Sequence, residues 1–323
     1  MRGNDFPKSK YRGLLAIGDP HLEGRVPGFR KDDYPRAVLA KLRWCLRYAA
    51  GEHLLPMILG DLFQLPRNNP NWLLVELLEA FDQLVIGIYG NHDIHENSLA
   101  DDDSISILVK AGRLRLLDDE HPYRALINGR RVVVGGTPWG RRIPGSFADG
   151  ELFADDEPLV VWLTHHDVAS PGLEGQACLE PRPLPGIDLV INGHIHRRAE
   201  PVRAGHTHWF TPGNIARRTR SDATREHVPS ALRIDIAPDA WNATSVEVPH
   251  EPFESVFHTV VIDPEPEAPE ASGFVTGLAE LQARKTETGE GLVAFLERNL
   301  DQFEPDVAEE IRNLAREVTG GSR

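Results

Sequence analysis

The chain has 323 residues, of which 41% are hydrophobic and 26% are charged, and this is the composition of an ordinary globular protein. Its formal net charge of −14 argues against a uniformly basic nucleic-acid-binding protein, and its two cysteines, Cys45 and Cys178, are too few for a disulfide framework or a cysteine-based zinc site. No apolar run approaches the roughly 20 residues that span a bilayer and none opens the chain, so we expect a cytoplasmic protein without a membrane segment or signal peptide.

The N-terminal part of the chain alternates between strand-like and helical patterns. Residues 33–50 form the clearest helical pattern, because their apolar residues recur on a single face. Strands on either side of such helices predict a layered α/β domain. The predicted strands cover residues 11–18, 53–63 and 83–93, and the further predicted helices cover 71–81 and 103–112.

The following part of the chain is predicted to be mostly strands. Asn128-Gly129 separates two strand-like runs, which is typical of a β-hairpin. We predict a main domain over residues 1–215 and a strand-rich capping segment over 216–258. The predicted strands after the hairpin cover residues 158–167, 187–196, 207–214, 230–238 and 243–249.

The C-terminal part of the chain carries much of its negative charge. Residues 259–273 are rich in Pro and Glu, which predicts a linker, and residues 274–323 predict a helical tail. Short amphipathic helices bury little surface by themselves, so these helices either pack on the body of the protein or bind a partner. By contrast, residues 197–233 contain an excess of arginine.

Polar side chains follow five of the predicted strands at the point where each strand ends. Because ligand sites in α/β sheets form beyond the carboxyl ends of the strands, we expect these side chains to share one crevice. Imidazole and carboxylate groups suit divalent metals such as Mn, Fe or Zn, and a lone Asp such as Asp61 can bridge two ions. The five clusters are Gly18-Asp19-Pro20-His21, Gly60-Asp61, Gly90-Asn91-His92-Asp93, Thr164-His165-His166 and Gly193-His194-Ile195-His196.

The spacing within the clusters also favours a metal site. In extended backbone, residues i and i+2 point the same way, so Asp19 with His21, and His194 with His196, would present paired ligands. Glycine before four of the clusters permits close approach of the backbone. Any one cluster alone is typical of a polar turn, whereas all five together favour a site for two metals.

The five clusters, in this order, resemble those of the calcineurin-like metallophosphoesterases over about residues 11–200. The resemblance implies a sandwich of two mixed β-sheets flanked by helices, with two divalent metal ions, of which Mn²⁺ is preferred and Fe, Zn or Mg are alternatives. It implies that His92 faces the scissile phosphate and that Asp93 holds His92. The implied metal ligands are Asp19, His21 and His196 at one ion, Asn91, His165 and His194 at the other, and Asp61 as the bridge.

One alternative stays open within this ligand set. The fourth cluster offers either His165 or His166, and we choose His165 because it comes first off the strand.

Gly60-Asp61-Leu62-Phe63 and the segment after His196 are similar to SbcD-type DNA repair nuclease subunits, which extends the resemblance to about residue 257. This implies hydrolysis of DNA phosphodiester bonds, an SMC-like ATPase partner bound by the C-terminal helices, and a homodimer. We predict that the arginines beyond the ligands contact DNA phosphates without reading sequence. These arginines are Arg217, Arg218 and Arg220.

Two other functions remain as alternatives. The substrate could be a small nucleotide or another phosphodiester or phosphomonoester, and the arginines would then be solvated or paired with the acidic tail. The protein could also be a catalytically silent scaffold, although the complete ligand set argues against it.

Overall fold

The computed structural model describes residues 6–148, 157–171 and 179–258, together with the helical residue Glu309. The predicted linker over 259–273 lies outside the described residues, and so does the predicted helical tail over 274–323 apart from Glu309. Among the described residues, no helix combines the length and apolar character needed to cross a bilayer.

The first of two sheets has six strands in the spatial order twelfth, eleventh, first, second, third and fourth. The first four strands are parallel neighbours, the eleventh pairs antiparallel with the first, and the twelfth pairs antiparallel with the eleventh. The eleventh and twelfth strands lie within residues 216–258, which were predicted as a capping segment, and they extend this sheet. The strands are β1 (Gly13–Ile17), β2 (Leu54–Ile58), β3 (Val85–Gly87), β4 (Leu114–Leu116), β11 (Ser230–Ile236) and β12 (Trp241–Glu247).

The second sheet also has six strands, of which the four central ones are parallel and the two edge strands are antiparallel to their neighbours. The strands, in their order across the sheet, are β5 (Tyr123–Ile127), β6 (Arg130–Thr137), β7 (Leu159–Thr164), β8 (Leu189–Asn192), β10 (Thr207–Phe210) and β9 (Val202–Ala204).

The turn between β5 and β6 confirms the predicted hairpin. Asn128 and Gly129 have φ values of 46° and 86°, and two consecutive positive φ angles are what a two-residue type I′ turn requires.

The side chains of β1 show how the layers pack. Leu14 and Ala16 face the second sheet, where they join the core between the two sheets, whereas Leu15 and Ile17 face the helices. The expected sandwich of two mixed sheets flanked by helices is therefore confirmed. Three longer helices are α1 (Tyr34–Gly51), α2 (Asn71–Ala80) and α3 (Ile105–Lys110), and two shorter ones are α4 (Asp222–Glu226) and α5 (Phe253–Val256).

This topology positions the polar clusters. β1, β2 and β3 run parallel in the first sheet, and β7 and β8 run parallel in the second. The carboxyl ends of neighbouring parallel strands lie at the same edge of a sheet, so each sheet delivers its clusters to one edge.

Candidate metal centre

The carboxylate of Asp61 lies at the centre of the converging side chains. Its Oδ2 is 3.6 Å from Nε2 of His21 and 3.3 Å from Nε2 of His165. Its Oδ1 accepts a hydrogen bond of 2.8 Å from the backbone N–H of His92. The residue is 1% exposed, so both oxygens are committed to the interior of the site.

One group of potential metal ligands comprises His21, Asp61 and His196. The Nε2 atoms of His21 and His196 are 2.8 Å apart. Asp19 belongs to neither group of potential ligands. Its Oδ1 accepts a hydrogen bond of 3.0 Å from the backbone N–H of His194 and lies 3.5 Å from Nδ1 of His165. Its Oδ2 is buried and has no hydrogen-bond partner among the described residues. Since buried carboxylate oxygens are nearly always satisfied, this atom fits a role as a cation ligand.

A second group comprises Asp61, His165 and His194, and Asn91 lies between the two imidazoles. Oδ1 of Asn91 is 3.0 Å from Nε2 of His165 and 3.1 Å from Nδ1 of His194. Nδ1 of His165 donates to the carbonyl of Leu59 at 2.7 Å, which orients Nε2 toward the site. Asp61 therefore belongs to both groups.

The structure distinguishes the two histidines of the fourth cluster. His165 is fully buried and lies within 3.3 Å of Asp61. His166 turns the other way, because its Nε2 donates to the carbonyl of Arg141 at 2.7 Å.

The charges of the buried groups depend strongly on one another. Burial raises the pKa of Asp19 to about 7. Burial alone would also raise the pKa of Asp61, but the His165 imidazole holds it well below its usual value. Burial would lower the pKa of His165, yet the Asp61 carboxylate raises it to about 10. Negative charge thus concentrates at Asp61, and imidazole, carboxylate and amide oxygen together are a donor set for divalent cations.

The backbone at the ligands is not extended, which differs from the predicted i, i+2 geometry. Asp19, His21, Asp61 and His194 have φ values of 39°, 47°, 48° and 67°, in the left-handed region. Such residues cost on the order of 1–3 kcal/mol each and occur at functional sites. Each strand has already ended, and sharp turns rather than strand alternation aim these side chains inward.

The predicted close approach at glycine is confirmed at Gly60 and Gly90. Gly60 has a φ of 101°, and a Cβ there would overlap Nδ1 of His165. A Cβ on Gly90 would overlap Oδ1 of Asp61. Both positions bring backbone against the ligands where no side chain fits.

His92 lies at the rim, with its ring centroid 5.0 Å from that of His21. Its Nδ1 donates to the carbonyl of Gln64 at 2.9 Å. Within the described part of the chain, Nε2 of His92 has no hydrogen-bond partner. The imidazole is therefore held through Nδ1, and its Nε2 is left for contact with a bound group.

The structure corrects the prediction that Asp93 holds His92, because the carboxylate of Asp93 binds backbone N–H groups instead. Its Oδ1 accepts the backbone N–H of Phe63 at 3.0 Å, and its Oδ2 accepts that of Gly90 at 2.9 Å. Both oxygens are thus taken by backbone groups, and the Gln64 carbonyl has the role that was predicted for Asp93. Asp93 instead ties the loops after β2 and β3 together.

Two residues at the site were not assigned a role there from the sequence. Oδ1 of Asp167 is 3.1 Å from Nε2 of His194, so it can orient this imidazole while Nδ1 faces Asn91. Asp167 follows the fourth cluster directly, and that adjacency was its signal. The indole of Trp139 lies 4.9 Å from the His194 ring, measured between centroids. The sequence feature that could have indicated a role for Trp139 is its position just after β6, which pairs in parallel with β7.

The structure also corrects the prediction that Arg217 contacts DNA, because its guanidinium is bound to backbone carbonyls of the protein. Its side chain is buried, and its Nε and Nη2 donate to the carbonyl of His227 at 2.9 and 2.6 Å. Its Nη1 donates to the carbonyl of Glu251 at 3.0 Å. Arg218 is partly exposed and pairs with Glu23 at 2.7 Å. Arg220 is partly exposed and has no partner among the described residues.

We predict that Arg217→Ala lowers the free energy of unfolding by about 3 kcal/mol, because it leaves the carbonyls of His227 and Glu251 without a charged donor. The matched change Arg220→Ala should cost less than about 0.5 kcal/mol. Urea unfolding followed by circular dichroism measures both values. Equal effects of the two substitutions would contradict the structural role of Arg217.

Comparison with known proteins identifies a family that matches more than half of this chain. The family described as calcineurin-like phosphoesterase matches residues 14–198. No curated protein matches the chain significantly.

Several solved structures are similar to this chain at low sequence identity. A hypothetical protein from Thermus thermophilus is 15% identical, with a TM-score of 0.42, covering 73% of this chain and 100% of that one. A predicted phosphoesterase from Streptococcus pneumoniae is 11% identical, with a TM-score of 0.33 and coverages of 75% and 93%. Vps29 from Chaetomium thermophilum is 15% identical, with a TM-score of 0.32 and coverages of 75% and 98%.

Proposed function

The chain belongs to the calcineurin-like phosphoesterase family, and on this premise we propose that it is a two-metal-dependent phosphodiesterase that hydrolyses DNA. The family implies a metal-dependent hydrolase of ester bonds. The observation that carries the two-metal proposal is the position of Asp61, which among the described residues is the one shared by the two groups of potential ligands.

Two divalent cations suit this site. Bound ions of this kind stabilise the charge that develops on a phosphoryl group and favour attack by water. Among the possible metals we propose Mn²⁺, which accepts both imidazole and carboxylate ligands. We assign Asp19, His21 and His196 to one ion, Asn91, His165 and His194 to the other, and Asp61 to both.

His92 supplies the proton in this proposal. The hydrogen bond from Nδ1–H to the Gln64 carbonyl occupies one ring nitrogen. In the imidazolium form the second proton, on Nε2, can pass to the leaving oxygen, and this leaves a neutral ring with its proton on Nδ1. The backbone of His92 is in turn bonded to Oδ1 of Asp61. The central carboxylate therefore sets the position of the proton donor relative to the ligand groups.

The preference for DNA rests on the SbcD-like segments and on basic side chains near the site. Arg220 is partly exposed in the segment after the last ligands, and Arg197 is exposed directly after His196. Arg218 is also partly exposed there, and it is paired with Glu23. Such arginines suit a phosphate backbone. The second candidate is a small nucleotide or another phosphoester, which needs none of these contacts.

The binding partners of this protein and its location in the cell are proposed from the sequence alone. We propose that residues 274–323 bind an SMC-like ATPase and that the protein acts as a homodimer in the cytoplasm. Residues 259–273 and 274–323 lie outside the described residues, apart from Glu309.

A substrate panel tests the choice of DNA. With Mn²⁺, we expect the protein to hydrolyse linear DNA with a higher kcat/KM than bis(p-nitrophenyl) phosphate or cyclic nucleotides, because additional phosphate contacts add binding energy. An Asp61→Asn preparation purified in the same way controls for contaminating nucleases. Rapid hydrolysis of small nucleotides together with intact DNA would overturn the DNA assignment in favour of the second candidate.

A further inference from the structure

The indole of Trp139 differs from the tryptophans of the core. Trp162 is fully buried and Trp209 is 4% exposed, and their Nε1–H groups donate to Thr137 and Arg182. Trp139 is only partly buried, and its Nε1–H has no partner among the described residues. Its ring lies 4.9 Å from that of His194, between centroids, with 30° between the planes. An indole with an unpaired N–H thus lies beside the ligand groups.

The turn that carries Trp139 is fixed to the site at two points. The backbone N–H of Trp139 donates to the carbonyl of Tyr89 at 3.2 Å, just before the third cluster. The carbonyl of Arg141 accepts a hydrogen bond from Nε2 of His166 at 2.7 Å. The backbone N–H of Arg141 closes the turn on the carbonyl of Pro138 at 3.2 Å. The position of the ring is therefore set by neighbours of the metal ligands.

Two exposed arginines follow on the same turn. Neither Arg141 nor Arg142 has an acidic partner within the described ranges of the chain. In contrast, Arg218 is paired with Glu23 and Arg217 with backbone carbonyls. Arg141 and Arg142 thus place two guanidinium groups on the turn that carries the partly exposed indole of Trp139.

We propose that Trp139, Arg141 and Arg142 form a platform that holds an unpaired nucleotide beside the scissile phosphate. A base stacks on the indole, and the flanking phosphates bind the two guanidinium groups, which is the combination that single-stranded nucleic acids favour. Bases within a duplex are already stacked on each other, so the platform accepts single strands, frayed ends or nucleotides. The inference rests on the proposed function and specifies its substrate.

Binding to the full-length protein without added metal tests the platform independently of turnover. The probe is a fluorescein-labelled oligo(dT) of about 12 nucleotides, followed by anisotropy. We expect Trp139→Leu to raise Kd by about tenfold, and Trp139→Phe to retain most of the affinity because it keeps an aromatic face. Arg141→Gln and Arg142→Gln should each reduce the slope of log Kd against log salt concentration by about 0.7.

Arg182→Gln is the matched control for binding, because Arg182 is exposed and precedes β8, at the opposite end of the strand from His194. It should leave Kd and the salt slope unchanged. Unchanged affinity in Trp139→Leu, with thermal unfolding at the wild-type temperature, would overturn the platform.

A selectivity ratio separates stacking from a merely structural role. We compare kcat/KM for the p-nitrophenyl ester of thymidine 5′-phosphate with that for ethyl p-nitrophenyl phosphate, both with Mn²⁺. Trp139→Leu should lower this ratio by about tenfold, and Trp139→Phe should restore most of it. Equal losses for both esters would assign Trp139 to packing against His194 and overturn the platform. If the wild type hydrolyses neither ester, the proposed function fails while the binding assay still decides the platform.

Discussion

Replacing Asp61 with Asn should lower kcat for bis(p-nitrophenyl) phosphate by about 10³-fold or more, and the protein should stay folded. Within the described part of the chain, Asp61 is the one side chain that belongs to both groups of potential ligands, and its Oδ2 lies between His21 and His165. An amide cannot supply a negative charge to two cations. The substitution therefore weakens both ion sites at once, whereas loss of any other ligand weakens one directly.

The measurement is steady-state hydrolysis at saturating Mn²⁺, together with the metal content of the protein after gel filtration. Asp119→Asn is a matched control, because Asp119 is exposed and lies between β4 and β5. It should retain wild-type kcat and metal content. An Asp61→Asn protein that keeps more than about a tenth of the wild-type kcat would contradict the shared role of this carboxylate.

The second large effect is expected for His92→Ala. If Nε2 protonates the leaving oxygen, the loss of kcat should be about 10²- to 10⁴-fold for DNA, whose alkoxide leaving group needs a proton. The loss should be much smaller for bis(p-nitrophenyl) phosphate, because nitrophenolate leaves readily without one. A residue that only shapes the site would affect both substrates to the same extent.

His95→Ala is the matched control for His92, since His95 is an exposed histidine of the same loop. It should leave kcat for both substrates within about twofold. Equal losses of kcat for DNA and the nitrophenyl ester in His92→Ala would exclude proton donation and leave His92 a positioning role. Metal content measured on the same samples separates this outcome from loss of the ions.

Much of the site could be predicted because its side chains follow apolar strands directly. Asp61 follows β2 and His165 follows β7, and the layered arrangement of strands and helices was itself predicted from alternating patterns. The glycines before the clusters were informative for the same reason. A Cβ on Gly90 would overlap Asp61, so this glycine marks a close approach, although the sequence does not show which residue approaches it.

Other features depend on contacts between residues far apart in the chain, which residue type alone does not encode. The buried side chain of Arg217 donates hydrogen bonds to the carbonyls of His227 and Glu251. In the sequence, a buried arginine within a basic stretch cannot be distinguished from an exposed one. The family resemblance implied that Asp93 holds His92, but a tight turn directs its carboxylate to the backbone of Phe63. Trp139 reaches His194 because β6, β7 and β8 are parallel neighbours, which brings the ends of β6 and β8 to the same edge of the sheet.

The left-handed backbone at the ligands could not be predicted either. Extended geometry would alternate side chains along a strand, whereas Asp19 and His21 both have positive φ. Non-glycine residues rarely adopt this conformation, so residue type gives little indication of it.

The most direct test of the two-metal assignment is a titration of the wild-type protein after removal of metal with a chelator. Mn²⁺, and in parallel Zn²⁺, Fe²⁺ and Mg²⁺, is added while bound metal and hydrolysis of bis(p-nitrophenyl) phosphate are measured. We predict two ions bound per chain and turnover that rises as the second site fills. Absence of turnover with every divalent metal, or full turnover without any, would contradict a two-metal phosphodiesterase.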